Sequence, residues 1–216
     1  MYTLTTFRSV PSFAVGHVRD LRVRWALEEA GEPYDLRLID FADAATPGYR
    51  REQPFGQVPL LQDGDLTLFE TGAILLHLGE RHPVLLPRDP SARAQVTMWM
   101  FAALNSVEPY VGNLANLVAF SMDQPWAAAQ RPVLEEIAEK RLGQVDDWLE
   151  GRDFLAGGFS AADILMTTVV RLLDGMGYVE RFERLAAWRD RCTARPAYRK
   201  ALAAQVAQYA VETATA

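Results

Sequence analysis

A chain of 216 residues, 50% hydrophobic and 23% charged, holds enough material for one large packed domain or two small ones. Its formal net charge of −6 argues against a nucleic-acid binder, whose basic face normally shows in composition. No apolar run approaches the ~18 residues of a membrane span, and one cysteine with three scattered histidines makes neither an internal disulfide nor a metal-ligand cluster.

The opening residues Met1-Tyr2-Thr3-Leu4 lack the basic-then-apolar layout of a secretory leader, so a reducing cytosol is the expected location. Tyr2 to Phe7, rich in Thr and aromatics, predicts a strand, with Tyr2 in the core. Val18 to Ala30 carries apolar residues at helical spacing, and Gly31 suits the C-cap. Tyr34 to Ile39 predicts a second strand, and a strand–helix–strand unit makes the two strands parallel. Asp40 to Pro54 is polar and broken by Pro47-Gly48, which predicts a loop with a short helix.

The stretch from Phe55 to Glu80 is the most informative. Pro59 opens a short apolar run, Asp63-Gly64 suits a tight hairpin, and Leu66 to Phe69 returns as a strand. Glu70-Thr71 then opens a helix with Ile74, Leu75 and Leu78 on one face. The first N–H groups of a helix have no partners within it and attract carboxylates. An acid and a hydroxyl in that turn would suit a ligand carrying both an ammonium and a carboxylate; an ordinary helix cap is the alternative reading.

Three prolines between His82 and Pro90 predict a linker over 83–90, dividing residues 1–82 from an all-helical segment 91–216. In that segment Ser91 to about Phe120 reads as one long helix bent at Pro109, and Pro132 to Glu150 as the next. Ser160 with Asp163 forms a capping-box pattern ahead of the apolar run from Ile164 to Leu173, which predicts the buried centre of the helical part. Helices over Val179–Cys192 and Pro196–Tyr209 close the chain.

The Gln57-Val58-Pro59 loop, the Asp63-Gly64 hairpin and Glu70-Thr71 together resemble the glutathione-binding half of the cytosolic glutathione transferase family, in its bacterial type. Arg22-Val23-Arg24-Trp25-Ala26-Leu27-Glu28-Glu29-Ala30-Gly31 is similar to that family's first helix, and Leu155 to Asp163 to the signature of its C-terminal domain. Thr71 stands where Ser is commonest, which keeps the hydroxyl. The resemblance implies an α/β thioredoxin-like N-terminal domain, an all-α C-terminal domain and a homodimer. It further implies that Val58, before a cis Pro59, pairs with the backbone of glutathione, and that Glu70 and Thr71 hold its γ-glutamyl end. Glutathione is then the co-substrate, an apolar electrophile the second substrate, and no metal, membrane or nucleic acid is involved.

A transferase of this kind must stabilise a thiolate. Relatives use Tyr, Ser or Cys near the first helix, but no hydroxyl falls just before Arg22 in this chain. Ser12 is the first candidate, with Ser9 behind it; Arg19 by its charge and free N–H groups between Phe13 and Gly16 are the alternatives, and His17 as a base is a weaker one. A turn serine is the plain reading of Ser12. Trp99 and Asn105, with Phe101, Tyr110 and Asn113, lie on the long helix from which the family builds its electrophile pocket, although aromatics at such spacing also serve as core. Two rivals are a non-catalytic binding or regulatory protein of the same fold and a glutathione-dependent peroxidase or reductase. A route through a protein thiol is poor, because Cys192 lies far from the first helix and suits a small buried position.

Overall fold

The computed structural model describes residues 1–213. β1 (Tyr2–Phe7) runs parallel to β2 (Tyr34–Ile39), from Tyr2↔Tyr34 to Phe7↔Ile39. The crossover between them carries α1 (Asp20–Ala30). This helix starts later than the Val18 of the hydrophobic pattern, because the carbonyls of Val18 and Arg19 accept tight three-residue bonds from Leu21 and Arg22 at 3.0 and 3.1 Å. Gly31 ends it in the left-handed region, as expected. The polar stretch after β2 forms two short helices, α2 (Phe41–Ala44) and α3 (Pro47–Arg50). Each is capped locally, Asp40 N–H donating to Asp43 Oδ2 at 2.9 Å and Thr46 Oγ1 accepting from Tyr49 N at 3.2 Å.

β3 (Leu60–Asp63) pairs antiparallel with β1, Thr5 facing Leu60, and β4 (Leu66–Leu68) pairs antiparallel with β3, giving the order β2-β1-β3-β4. The hairpin turn falls one residue later than expected: Gly64, at φ 61°, and Asp65 form it. Asp63 stays in the strand, where its Oδ2 lies 2.9 Å from Arg81 and 2.8 Å from His77. α4 (Thr71–Gly79) follows β4 directly. Tyr2 is buried, as expected, and Leu4, Leu60, Leu61, Val23 and Trp25 are fully buried with it.

A second unit runs from Leu86 to Arg195. α5 (Pro90–Phe101) is capped by Asp89, which accepts from Ala92 N at 2.9 Å. The single bent helix expected over 91–120 is divided instead by a wide π turn over Ala102–Val107, and α6 (Glu108–Phe120) carries Pro109 in its first turn. Proline has no N–H and crowds the carbonyl four residues before it, here that of Asn105, so the helical ladder widens upstream of the proline. α7 (Ala127–Trp148) begins at Ala127, not at Pro132, and takes Pro132 inside it.

α8 (Ala161–Val170) is buried along its length apart from a half-buried Thr168. Ser160 and Asp163 close the expected capping box. Asp163 accepts from Ser160 N at 3.0 Å, from Leu155 N at 3.1 Å and from Trp188 Nε1 at 3.0 Å. Burial pushes the Asp163 carboxyl above the ordinary carboxylate range while these donors pull it back. α9 (Glu183–Thr193) is shorter than the expected Val179–Cys192 helix, since extended backbone at Phe182 separates it from a turn over Val179–Arg181.

α10 (Pro196–Thr213) returns to the first unit, residues 1–85, and does not group with the helical segment 91–216 as the proline pattern predicts. Its Tyr198 ring meets Trp25 of α1 edge-on, with centroids 4.8 Å apart. The packing that draws it there is an apolar and hydrogen-bonded face against α1.

Candidate functional site

The strand register brings three sequence-predicted segments to one end of the sheet. β1 ends there, β3 starts there because it runs opposite to β1, and β4 ends there because it runs opposite to β3. Residues 8–19 leave β1, Gln57-Val58-Pro59 enters β3, and Glu70-Thr71 leaves β4 at this same end. In open α/β sheets this is the end where ligands bind.

The Gln57 loop is built on residues that the sequence reading passed over. Gln53, 3% exposed, accepts from Phe55 N at 2.7 Å and Gln57 N at 3.2 Å through one side-chain oxygen. Tyr49 Oη donates to the Gln57 carbonyl at 2.7 Å, and burial pushes the Tyr49 phenol up to about 12, so it stays a donor. Gly56, at φ 63°, leaves no room for a side chain, because a Cβ there would lie 2.7 Å from the Ala44 carbonyl. The Val58–Pro59 peptide is cis. The Val58 side chain packs against Ile39, Ala44 and Tyr49, yet neither its N–H nor its carbonyl has a partner among the described residues. An open donor and acceptor on one anchored residue suit an extended peptide backbone.

Glu70 is the one described non-glycine residue at positive φ, 68° with ψ 116°. Its carboxylate is exposed and makes no ion pair or hydrogen bond among the described residues. After it, the N–H groups of Thr71, Gly72 and Ala73 also lack partners there, while Ile74 N returns to the Glu70 carbonyl at 2.9 Å. Thr71 is buried and accepts from Arg22 Nη1 at 3.2 Å, which leaves its own hydroxyl proton available. Arg22 is itself 2% exposed. A helix start, a hydroxyl and a guanidinium suit a carboxylate, and the Glu70 side chain suits an ammonium.

Ser12 begins a single 3-10 turn, Ser12–Ala14, and is exposed; its hydroxyl and its N–H have no partner among the described residues. The N–H groups expected to be free after it are not all so. Those of Ala14 and Val15 donate to Pro11 and Ser12 at 2.9 and 3.3 Å, because the turn closes on itself. Arg19 is exposed and immediately precedes α1. Trp99 and Asn105 lie in the second unit. Trp99, on α5, is half-buried against Trp148, with ring centroids 5.1 Å apart, and Asn105 is exposed on the π turn. Tyr110 lies under Arg141 at 4.6 Å, and Phe101 and Asn113 are exposed.

Tyr49, Gln53 and Arg22 escaped the sequence reading for different reasons. Arg22 stands with Asp20 and Arg24 as charges alternating with Leu21, Val23 and Trp25 in the first half of α1, a pattern that signals buried pairing. Tyr49 and Gln53 lie in an aperiodic stretch, and nothing local marks them.

The N-terminal domain of glutathione S-transferases matches residues 13–80, and the C-terminal domain of the same family matches residues 111–196. Glutathione S-transferase 4 of Zea mays is 34% identical over 193 residues, 83% of this chain and 85% of its own. A glutathione S-transferase-like protein of Aspergillus terreus is 30% identical over 205 residues, 85% of this chain and 89% of its own. A glutathione transferase from Pseudomonas putida, solved with one glutathione disulfide bound per subunit, superposes with a TM-score of 0.81 at 26% identity, covering 93% of this chain and 90% of that one. A glutathione transferase from Burkholderia graminis, with two glutathione molecules bound per subunit, gives 0.80 at 28% identity, covering 93% and 87%. With its mixed four-stranded sheet, its helical second unit and matches over both parts, the chain belongs to the glutathione S-transferase family.

Proposed function

We propose that this protein is a cytosolic, homodimeric, metal-free enzyme that binds glutathione at the end of its sheet and transfers the thiolate to an apolar electrophile. The observation that carries the reading is Glu70, a carboxylate held at φ 68° ahead of three N–H groups, all without partners among the described residues, at the same end of the sheet as the open backbone of Val58. A peptide that carries an ammonium and a carboxylate at one end and runs on as an extended chain matches that set group for group. Val58 takes the cysteinyl backbone, with Gln57 and Pro59 shaping the loop. Glu70 takes the γ-glutamyl ammonium, and Thr71 with the first turn of α4 takes its carboxylate. The glutathione disulfide bound in the Pseudomonas putida protein and the glutathione bound in the Burkholderia graminis protein support the ligand.

The thiol of glutathione, with a pKa near ~8.5 when free, is mostly protonated at neutral pH. Ser12 supplies an O–H donor for the thiolate and Arg19 a positive charge, and the electrophile is assigned contacts with Trp99 and Asn105. Calorimetric titration with glutathione, joined to ultraviolet difference spectra of the bound thiol across pH, tests the reading. We expect binding with a thiol pKa lowered by at least about one unit, worth ~1.4 kcal/mol, and turnover of chlorodinitrobenzene. Binding with an unshifted pKa makes the protein a glutathione sensor or scaffold. Binding with turnover only of peroxides or disulfides makes it a reductase, and no binding at millimolar glutathione refutes the proposal. Ser12→Ala should leave glutathione affinity intact and slow turnover; unchanged turnover moves the role to Arg19.

A further inference from the structure

The segment carrying Ser12 and Arg19 is held at both ends by α10, a helix almost two hundred residues away in the chain. Gln208 Nε2 donates to the carbonyl of Phe7, the last residue of β1, at 2.8 Å. Gln205 Nε2 donates to the carbonyl of Val18, just before α1, at 3.1 Å and to Asp20 Oδ1 at 2.5 Å. Close to the Val18 end of the segment, Leu202 of the same helix covers Gly16, its Cδ1 3.4 Å from where a Cβ would stand. Residues 202, 205 and 208 are three apart and so share one face of α10.

Gln208 is fixed on its other side as well, and the Asp20 that takes the second bond of Gln205 is fixed in turn. Arg24 donates to Gln208 Oε1 and, at 2.6 Å, to Asp20 Oδ2. Asp20, Gln205 and Arg24 are all at most 1% exposed. Two oxygen acceptors facing Gln205 Nε2 leave its amide one orientation. Buried, mutually bonded polar groups of this kind hold their neighbours in one geometry.

We propose that Gln205 and Gln208 are positioning residues: by tethering the carbonyls of Phe7 and Val18 they hold the segment between them so that Ser12 and Arg19 face the sulfur of bound glutathione. The inference rests on the function proposed above. It separates binding, which belongs to the Val58 and Glu70 segments, from activation of the thiol, which depends on α10.

Gln208→Glu is the sharpest test, since a carboxylate still accepts from Arg24 but has no N–H for the Phe7 carbonyl. Gln208→Asn, one methylene short, is the second variant should the first fail to fold. Lys200→Ala, which removes an exposed contact of α10 with Glu28, is the control that leaves the segment untouched. Hydrogen exchange reads the tether directly: the amides of Ala14, Val15 and His17, bonded within the segment, should exchange about tenfold faster in the Gln208 variants, with those of β3 and α4 unchanged. Glutathione affinity and KM should stay within about threefold, while kcat falls about tenfold and the bound thiol pKa rises. The Lys200 variant should match the wild type in all of these.

Unchanged exchange in the segment overturns the tether. Faster exchange with unaltered thiol pKa and kcat overturns its role in activation. A wild-type protein that binds glutathione with a lowered thiol pKa, matched by both Gln208 variants, refutes this inference alone. A wild-type protein that binds no glutathione refutes the proposed function and this role together.

Discussion

Replacing Glu70 separates the cost of its backbone from the use of its side chain. A non-glycine residue held at φ 68° and ψ 116° sits in a sparsely populated region that costs about 1–3 kcal/mol. Glycine removes that cost but loses about 0.5–1 kcal/mol more conformational entropy on folding. Glu70→Gly should therefore stabilise the fold by about 1 kcal/mol, a rise of roughly 3 °C in Tm for a chain of this size. Glu70→Ala keeps the strained backbone and removes a carboxylate that has no partner among the described residues, so its stability should stay within about 0.5 kcal/mol of the wild type. Both variants lose the charge-assisted contact to the ligand ammonium, worth about 1.5–3 kcal/mol. Glutathione should then bind at least about tenfold more weakly to each. Denaturant unfolding and calorimetric titration of the three proteins read both quantities. A glycine variant no more stable than the alanine variant refutes the argument that the backbone is strained. Wild-type affinity in either refutes the placement of the ammonium.

Tyr49→Phe removes the donor to the Gln57 carbonyl. It should cost about 1 kcal/mol of stability and weaken glutathione binding a few-fold; unchanged values of both would show that the loop does not lean on it. Asp163→Ala strands the Ser160 and Leu155 amides and the Trp188 indole N–H in the core. At about 1 kcal/mol or more for each orphaned donor, it should destabilise by at least about 3 kcal/mol, whereas Ser160→Ala should cost roughly 1 kcal/mol; equal losses in chemical denaturation would contradict this. Burial pushes the Cys192 thiol up to about 12. Iodoacetamide at mildly alkaline pH should leave the native protein unlabelled and label it only after unfolding; labelling of the native protein at the rate of free cysteine would show the site to be open.

The parts legible in the amino-acid sequence are those whose determinants lie within a few residues of one another. The Ser160–Asp163 box, the Gly31 cap and the Glu70-Thr71 helix start each depend on contacts across a few positions, and each appears where the pattern placed it. Two of the helix boundaries that moved did so at proline. Pro132 reads as a start but is carried inside α7, where its neighbours hold the helix despite one missing bond. Pro109 reads as a bend, yet the widening falls upstream, over Ala102–Val107.

Three decisions belong to the tertiary structure. Gln53 and Tyr49 shape the Val58 loop because the fold buries them beneath it, and no local pattern marks a buried glutamine. The positive φ of Glu70 follows from β4 and α4 being fixed on either side of it. The union of α10 with the first unit depends on Gln208 reaching Phe7 and Tyr209 reaching Thr6. Hydrophobic period and capping chemistry are local, so the chain alone specified the elements and the residues that open onto the site. Which buried polar group satisfies which depends on chain segments meeting across most of the molecule, and only folding brings those donors and acceptors within reach.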